Sequence, residues 1–242
     1  MLKQQRLAEV LLARKAVHSE REAFVIVTEG RVYVNGQKAI SPGQTVSDSD
    51  VIEVRAGREF VGRGAQKLDA ALREFNIDVR GAVCADVGAA TGGFTEVLLK
   101  HGAAKVYAID TGRGKLDLKL RQDPRVVVME ETNVLAMPPL PELVGLISID
   151  VSLTSLRFVL PKILPWLSRG GSVVALFKPQ YEVEDKSLLE HGILRDVAAR
   201  AKLVGAFRTW LKEHGWRELG FMESPIRGSE GNVEYLWHLV SV

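Results

Sequence analysis

The sequence predicts an α/β protein: a mostly parallel seven-stranded sheet covered by helices, with a small α+β unit ahead of it. Three observations carry this prediction. From residue 66 to the end, short apolar runs alternate with helical patterns, the rhythm of a sheet buried on both faces. The first of those runs feeds a glycine-rich turn, as at the ligand crevice of an open α/β sheet. Residues 1–57 follow a different pattern, two amphipathic helices and then short β segments, and a glycine-rich stretch separates them from the rest.

The elements follow in order. Residues 6–15 carry Leu7, Val10 and Leu11 at helical spacing. A second helix is predicted over 19–28, with Ser19 as N-cap, Glu22 three residues on, and Gly30 as its stop. Val32 and Val34 alternate ahead of Asn35-Gly36, a tight hairpin signal. The segment SPGQTV supplies a further turn, and residues 51–54 read as a strand. The predicted division is a unit over 1–57, a linker over 58–65 and a larger domain over 66–242. In the larger domain, strands are predicted at 82–86, 105–109, 125–129, 144–150, 172–177, 216–222 and 235–240. Helices are predicted at 66–75, 92–101, 153–167 and 196–214. No helical pattern separates the last two strands, so one of them can run antiparallel.

Composition bounds the function. Of 242 residues, 46% are hydrophobic and 26% charged, which describes a globular chain rather than a disordered one. A formal net charge of +2 leaves a local basic patch possible without requiring one. The single cysteine, Cys84, excludes an intrachain disulfide and sits in an apolar run, as a buried core residue would. No apolar run approaches about 18 residues, and the N-terminus lacks a signal-peptide cleavage site. A cytoplasmic protein without a membrane span is expected.

The first chemical signal is ADVGAATGGF, residues 85–94. Gly88, Gly92 and Gly93 let the backbone come close to a ligand where a Cβ would not. The spacing is not that of the G-x-G-x-x-G dinucleotide loop; it resembles the loop of enzymes that bind S-adenosylmethionine. On that reading Asp86, Gly88, Ala89, Gly92, Gly93 and Phe94 are the candidate cofactor residues. Asp110, after the second strand, can accept adenosine ribose hydroxyls. Thr132 and Asn133, after the third, can meet the adenine edge. The second signal is charge at strand ends. Asp150 closes LVGLISID, Lys178 closes SVVALFKP, Glu234 opens the last strand, and Lys67 lies in the helix before the first. Any one of these alone reads as a solvated edge residue. Four of them grouped with a glycine loop read as a site, because buried charge is costly unless paired or functional.

Those four residues resemble the Lys-Asp-Lys-Glu tetrad of ribose 2′-O-methyltransferases of the FtsJ/RrmJ type. The stretches GRGAQKLDAAL, DVGAATGGFTEVLLKHGAAKVYAID, DVSLTSLRFVLPKIL with KPQYE, and SPIRGSEGNVEYL narrow the likeness to the haemolysin A (TlyA) family of rRNA methyltransferases. RLAEVLLARKAVHSEREAFVIVTEGRVYVNGQ resembles the S4 RNA-binding domain. Ala90, Leu153 and His191 depart from the family pattern, and none belongs to the tetrad.

The resemblance implies a Rossmann-like sheet, S-adenosylmethionine as cofactor and no metal. It implies ribosomal RNA or ribosomal subunits as partner, and methylation of a ribose 2′-hydroxyl, of cytidine in 23S rRNA, with 16S rRNA as a second candidate. In the implied mechanism Lys178 is the base, Asp150 and Glu234 orient it, Asp150 also borders the cofactor, and Lys67 holds the ribose or a phosphate. Arg6, Arg14, Lys15, Arg21, Arg31 and Lys38 are candidate RNA contacts of the N-terminal unit, and Arg63 in the linker is another. The rival readings are a methyltransferase of another substrate class, an RNA-binding protein with haemolysin-like membrane activity, and an RNA binder with an inactive catalytic domain.

Overall fold

The computed structural model describes residues 4–28, 30–55 and 60–242. The chain forms two compact units divided between Glu59 and Phe60. The boundary expected at residue 57 lies outside the described residues.

The first unit is α+β. Its elements are β1 (Gln4–Arg6), α1 (Leu7–Ala13), α2 (Glu20–Thr28), β2 (Val32–Val34), β3 (Gln37–Lys38), β4 (Thr45–Ser47) and β5 (Ile52–Val54). Ser19 Oγ accepts from Glu22 N at 3.1 Å and caps α2. Gly30, at φ +68°, takes the left-handed position after that helix. Asn35 and Gly36 both have positive φ, as a type I′ turn requires, and they join β2 to β3 in the register Val34 to Gln37. The strands β1 and β4 pair with each other, a contact too short to show as alternation in the sequence. Leu7, Leu11, Ala23, Ile26, Val32 and Val46 form one small core.

The second unit is a seven-stranded sheet in the order β11-β12-β10-β9-β6-β7-β8. Its elements are α3 (Ala65–Glu74), β6 (Val83–Val87), α4 (Gly93–Lys100), β7 (Lys105–Ile109), α5 (Leu118–Arg121), β8 (Val126–Met129), β9 (Val144–Ile149), α6 (Leu156–Ile163), β10 (Leu167–Phe177), α7 (Pro179–Glu182), α8 (Val197–Glu213), β11 (Trp216–Glu223) and β12 (Tyr235–Ser241). Five strands run parallel, and β12 is antiparallel to both β10 and β11. Phe60 and Val61, in the stretch read as a linker, pack on the α3–α4 side of this sheet.

The pleat sorts side chains onto two faces. Ala85, Val87, Ile147, Ile149, Val173, Ala175 and Phe177 face α6 and α8, while Cys84, Leu146, Val174, Leu176 and Leu236 face α3 and α4. Continuing that alternation places Gly88, Asp150, Lys178 and Glu234 toward the α3–α4 face, where the strands end.

Two elements differ from expectation. The helix expected over 153–167 begins only at Leu156, because Leu153 has φ +62° and Ser155 is the N-cap. It ends at Ile163 in a short 3₁₀ turn through Pro165. The strand expected from 172 starts at Leu167, with its register shifted between Leu167 and Ser172, where Gly170 has φ +80°. No helix among the described residues is long and apolar enough to cross a membrane.

Candidate active site

The site is built at the switch between β6 and β9, the neighbouring parallel strands whose helices lie on opposite faces. Asp150 N donates to Val87 O at 2.9 Å, so the start of the glycine turn lies against the end of β9. A Cβ on Gly88 would stand 2.3 Å from Asp150 O, which explains glycine there. The register of Phe177 with Tyr235 sets Lys178 beside Glu234, and that of Ala175 with Ile149 sets Lys178 beside Ser152, from where its side chain reaches back to Asp150.

A cavity of about 500 Å³ opens here, lined by Lys67, Gly88, Ala89, Gly93, Phe94, Asp150, Lys178 and Glu234 of the predicted residues, and by Arg63. Gly62, Gly64, Ala90, Thr91, Ile226, Arg227 and Ser229 complete the wall, and sequence reading missed them. A Cβ on Gly62 would meet Thr91 Oγ1 at 2.8 Å, so a larger residue there would have to displace the Thr91 hydroxyl. Glu96 fastens the turn to the cofactor-loop helix by accepting from Val61 N at 2.6 Å and from Lys119 Nζ at 2.9 Å.

The four charged residues form two ion pairs. Lys67 Nζ donates to Glu234 Oε2 at 2.5 Å, with both side chains buried. Lys178 Nζ stands 2.6 Å from Asp150 Oδ1, close enough for an ion pair although that oxygen accepts no hydrogen bond of good geometry; it donates instead to Ser152 Oγ at 3.1 Å. The expectation that Glu234 orients Lys178 is therefore corrected: Glu234 serves Lys67, and Asp150 with Ser152 serves Lys178. Behind them, Glu182 accepts from Ser155 Oγ at 2.6 Å and Leu156 N at 2.7 Å, tying α7 to the start of α6. Burial pushes the Glu182 carboxyl up.

Several predicted residues lie off the cavity. Asp86 is fully buried under α4, where its carboxylate accepts from Thr95 Oγ1 at 2.7 Å and Ser148 Oγ at 3.1 Å. It supports the loop and does not reach the cavity, because it lies two residues back from Gly88 along the same face of β6, covered by α4. Gly92, at φ +94°, starts that helix beside Leu116 and Leu120. Asp110 Oδ2 accepts from Ala90 N at 2.9 Å and Oδ1 from Gly112 N at 2.7 Å, with Lys115 Nζ at 3.3 Å. Thr132 donates to Glu130 O, and Asn133 Oδ1 accepts from Leu135 N. Glu130 accepts from Gly114 N, Lys115 N and Leu116 N, and the Arg121 guanidinium holds its carboxyl down at about 2. It thus shapes the loop that carries Lys115 to Asp110.

Burial raises the Asp86 carboxyl to about 7, against the lowering by the Thr95 and Ser148 hydroxyls. Between about pH 4 and pH 7 the folded chain holds a proton there that the unfolded chain releases. This contribution to stability is complete below the unfolded value of 3.8 and is lost as pH rises through about 7. Denaturant melts across that window should show a smaller decline with rising pH for Asp86→Asn than for the wild type. An unchanged pH slope would remove Asp86 as its source.

In the first unit, Arg6, Arg14, Lys15, Arg21 and Lys38 are exposed. Arg31 is half-buried and its Nε donates to Arg55 O, so it is committed to holding β2 and β5 together. The three departures from the family pattern share a backbone feature: Ala90, Leu153 and His191 all have φ near +50° to +60°, a region costly for residues with a Cβ.

Comparison with known proteins adds to this geometry. Residues 60–240 match the model of the FtsJ-like methyltransferase family, and residues 5–52 that of the S4 domain. The 16S/23S rRNA (cytidine-2'-O)-methyltransferase TlyA of Mycobacterium tuberculosis is 41% identical, over 98% of this chain and 90% of that protein. Hemolysin A of Brachyspira hyodysenteriae is 39% identical, over 97% and 99%. The solved structure of a protein described as a hemolysin, from Streptococcus thermophilus, shares 35% identity and a TM-score of 0.74, covering 100% of this chain and 90% of that one.

Proposed function

The chain belongs to the FtsJ-like methyltransferase family and carries an S4 domain ahead of the catalytic unit, and from that premise we propose that it methylates the ribose 2′-hydroxyl of a cytidine in ribosomal RNA, in the cytoplasm, with S-adenosylmethionine as methyl donor. The observation that carries the reading is the pairing of both lysines with carboxylates around one cavity beside the glycine turn.

The residues present fit the cofactor. Gly62, Gly64, Gly88 and Gly93 line the cavity with bare backbone, which leaves room for a ligand against main-chain amides. Asp150 lines the same cavity and sets a carboxylate there for a ligand amine. Gly88, Ala89, Gly93, Phe94 and Asp150 would hold the donor's amino-acid end, and Asp110, Thr132 and Asn133 its adenosine end. When bound, S-adenosylmethionine supplies a methyl group activated on a sulfonium.

This chain's residues do the rest. The ribose hydroxyl is neutral near pH 7 and must lose its proton as the carbon–oxygen bond forms. Lys178, once its own proton has left to solvent, takes that proton, and the ammonium so restored is met by Asp150 and Ser152, fixed in advance at its side. Lys67, held by Glu234, fixes the ribose. Alignment of the two reacting groups contributes up to roughly 7–11 kcal/mol at the model-compound limit. The exposed cations Arg6, Arg14, Lys15, Arg21 and Lys38 would contact RNA phosphates and deliver the substrate.

Labelled-methyl transfer to separated small and large ribosomal subunits and to protein-free rRNA tests the reading. Label in RNA supports it, and transfer only to protein or small molecules contradicts it. Asp110→Ala should weaken cofactor binding in calorimetry by roughly tenfold or more, the loss of hydrogen bonds to a charged group. Unchanged affinity would remove Asp110 from the cofactor site.

A further inference from the structure

The charges around the cavity do not balance. Its lining holds four cations, Arg63, Lys67, Lys178 and Arg227, against two carboxylates, Asp150 and Glu234, a net of +2. Both carboxylates are taken by the lysines. Arg63 and Arg227 are exposed, and neither side chain makes an ion pair or hydrogen bond with a described residue. They come from separate segments, the turn before α3 and the connection from β11 to β12.

The Arg227 turn is built rather than loose. Gly228 N donates to Asn232 O at 3.0 Å, and Gly231 N to Gly228 O at 3.0 Å. Asn232 is 1% exposed; its Oδ1 accepts from Leu194 N at 3.0 Å and its Nδ2 donates to Gly192 O at 3.0 Å. A Cβ on Gly228 would stand 2.6 Å from Glu234 Oε1, so the turn sits directly on the buried Lys67–Glu234 pair. Arg227 therefore leaves a fixed point at the cavity wall.

A guanidinium offers a planar fork of donors that matches the oxygens of a phosphodiester. Two of them, unpaired, over a floor of self-neutralised pairs, call for a ligand with two negative charges. We propose that Arg63 and Arg227 grip the phosphodiesters on either side of the target nucleotide, so that the cavity fixes its ribose through the flanking backbone. This rests on the RNA-methyltransferase reading above and adds Arg227 to it. The rival use of either arginine is to hold the carboxylate of the cofactor.

The test uses the full chain and three variants, Arg63→Gln, Arg227→Gln and Arg227→Lys. The probes are a fluorescent single-stranded oligocytidylate, titrated at several salt concentrations, and S-adenosylhomocysteine in calorimetry. Each glutamine variant should bind the oligonucleotide roughly three- to tenfold more weakly, with the slope of log affinity against log salt reduced by about 0.7. Arg227→Lys should keep most of the affinity and the slope, and S-adenosylhomocysteine binding should be unchanged throughout. Unaltered oligonucleotide affinity and slope in Arg227→Gln would overturn the proposal, as would failure of the wild type to bind the oligonucleotide. A loss of S-adenosylhomocysteine affinity would overturn it in favour of the cofactor-carboxylate role. Wild-type protein that binds as expected but methylates no RNA would leave the phosphate contacts standing and remove the proposed function.

Discussion

Lys178→Ala should lower single-turnover methyl transfer by about 10²-fold or more while cofactor and RNA still bind, the usual contribution of a positioned base. The expectation follows from the lysine's setting. It follows the last residue of β10, is mostly buried, and stands 2.6 Å from Asp150 Oδ1 and 3.1 Å from Ser152 Oγ, both of which would stabilise the ammonium formed by proton uptake, with the Tyr181 ring 5.9 Å away. Lys178→Arg separates chemistry from charge. Arginine preserves a cation beside Asp150 but cannot give up a proton near neutral pH, so it should fail nearly as completely as alanine. A near-wild-type rate for Lys178→Arg would show that the residue positions the ribose while solvent takes the proton. The methyltransferase reading would survive that result and the base assignment would not.

Glu234→Leu should cost about 3–5 kcal/mol of stability, the usual penalty for stranding one member of a buried ion pair. That corresponds to a fall of roughly 10 °C in melting temperature for a unit of this size. Lys67 and Glu234 have side chains 9% and 3% exposed, and the ammonium left behind would have no other carboxylate within reach in the ion pairs of this site. Adding Lys67→Met should restore most of the loss, because two apolar side chains can replace a buried pair at little cost. The double variant should nonetheless be inactive if Lys67 fixes the ribose. A double variant as unstable as the sum of the two single ones would show that the pair does not hold this part of the fold. Glu234→Gln keeps the shape and a hydrogen bond to Lys67, so its loss of activity should be partial.

Much of this was legible in the sequence because strand ends leave a clear mark. Lys178 follows five apolar residues, and Asp150 closes another apolar run; the register between β9, β10 and β12 then brings these ends together. The partition into pairs was not legible, because it depends on where α3 sits over β12, and no local pattern records that. Asp86 misled for a related reason. It precedes the glycine turn, as a ligand residue would, yet it lies two residues back from Gly88 on the same face of β6, where α4 covers it and Thr95 bonds it. Arg227 lies in a turn with no periodicity, and only its presence in the cavity wall singles it out. The helix after Asp150 is shorter than its apolar pattern suggests because Leu153 gives no sign in sequence of its left-handed backbone.

The position of the transferred methyl is the measurement that bears most directly on the account. Ribosomal RNA labelled by this enzyme would be hydrolysed in alkali, where strand cleavage requires a free 2′-hydroxyl beside the phosphate. The label should survive in alkali-resistant dinucleotides whose 5′ residue is a 2′-O-methylated cytidine. Label released in mononucleotides, carried on a base, would contradict it.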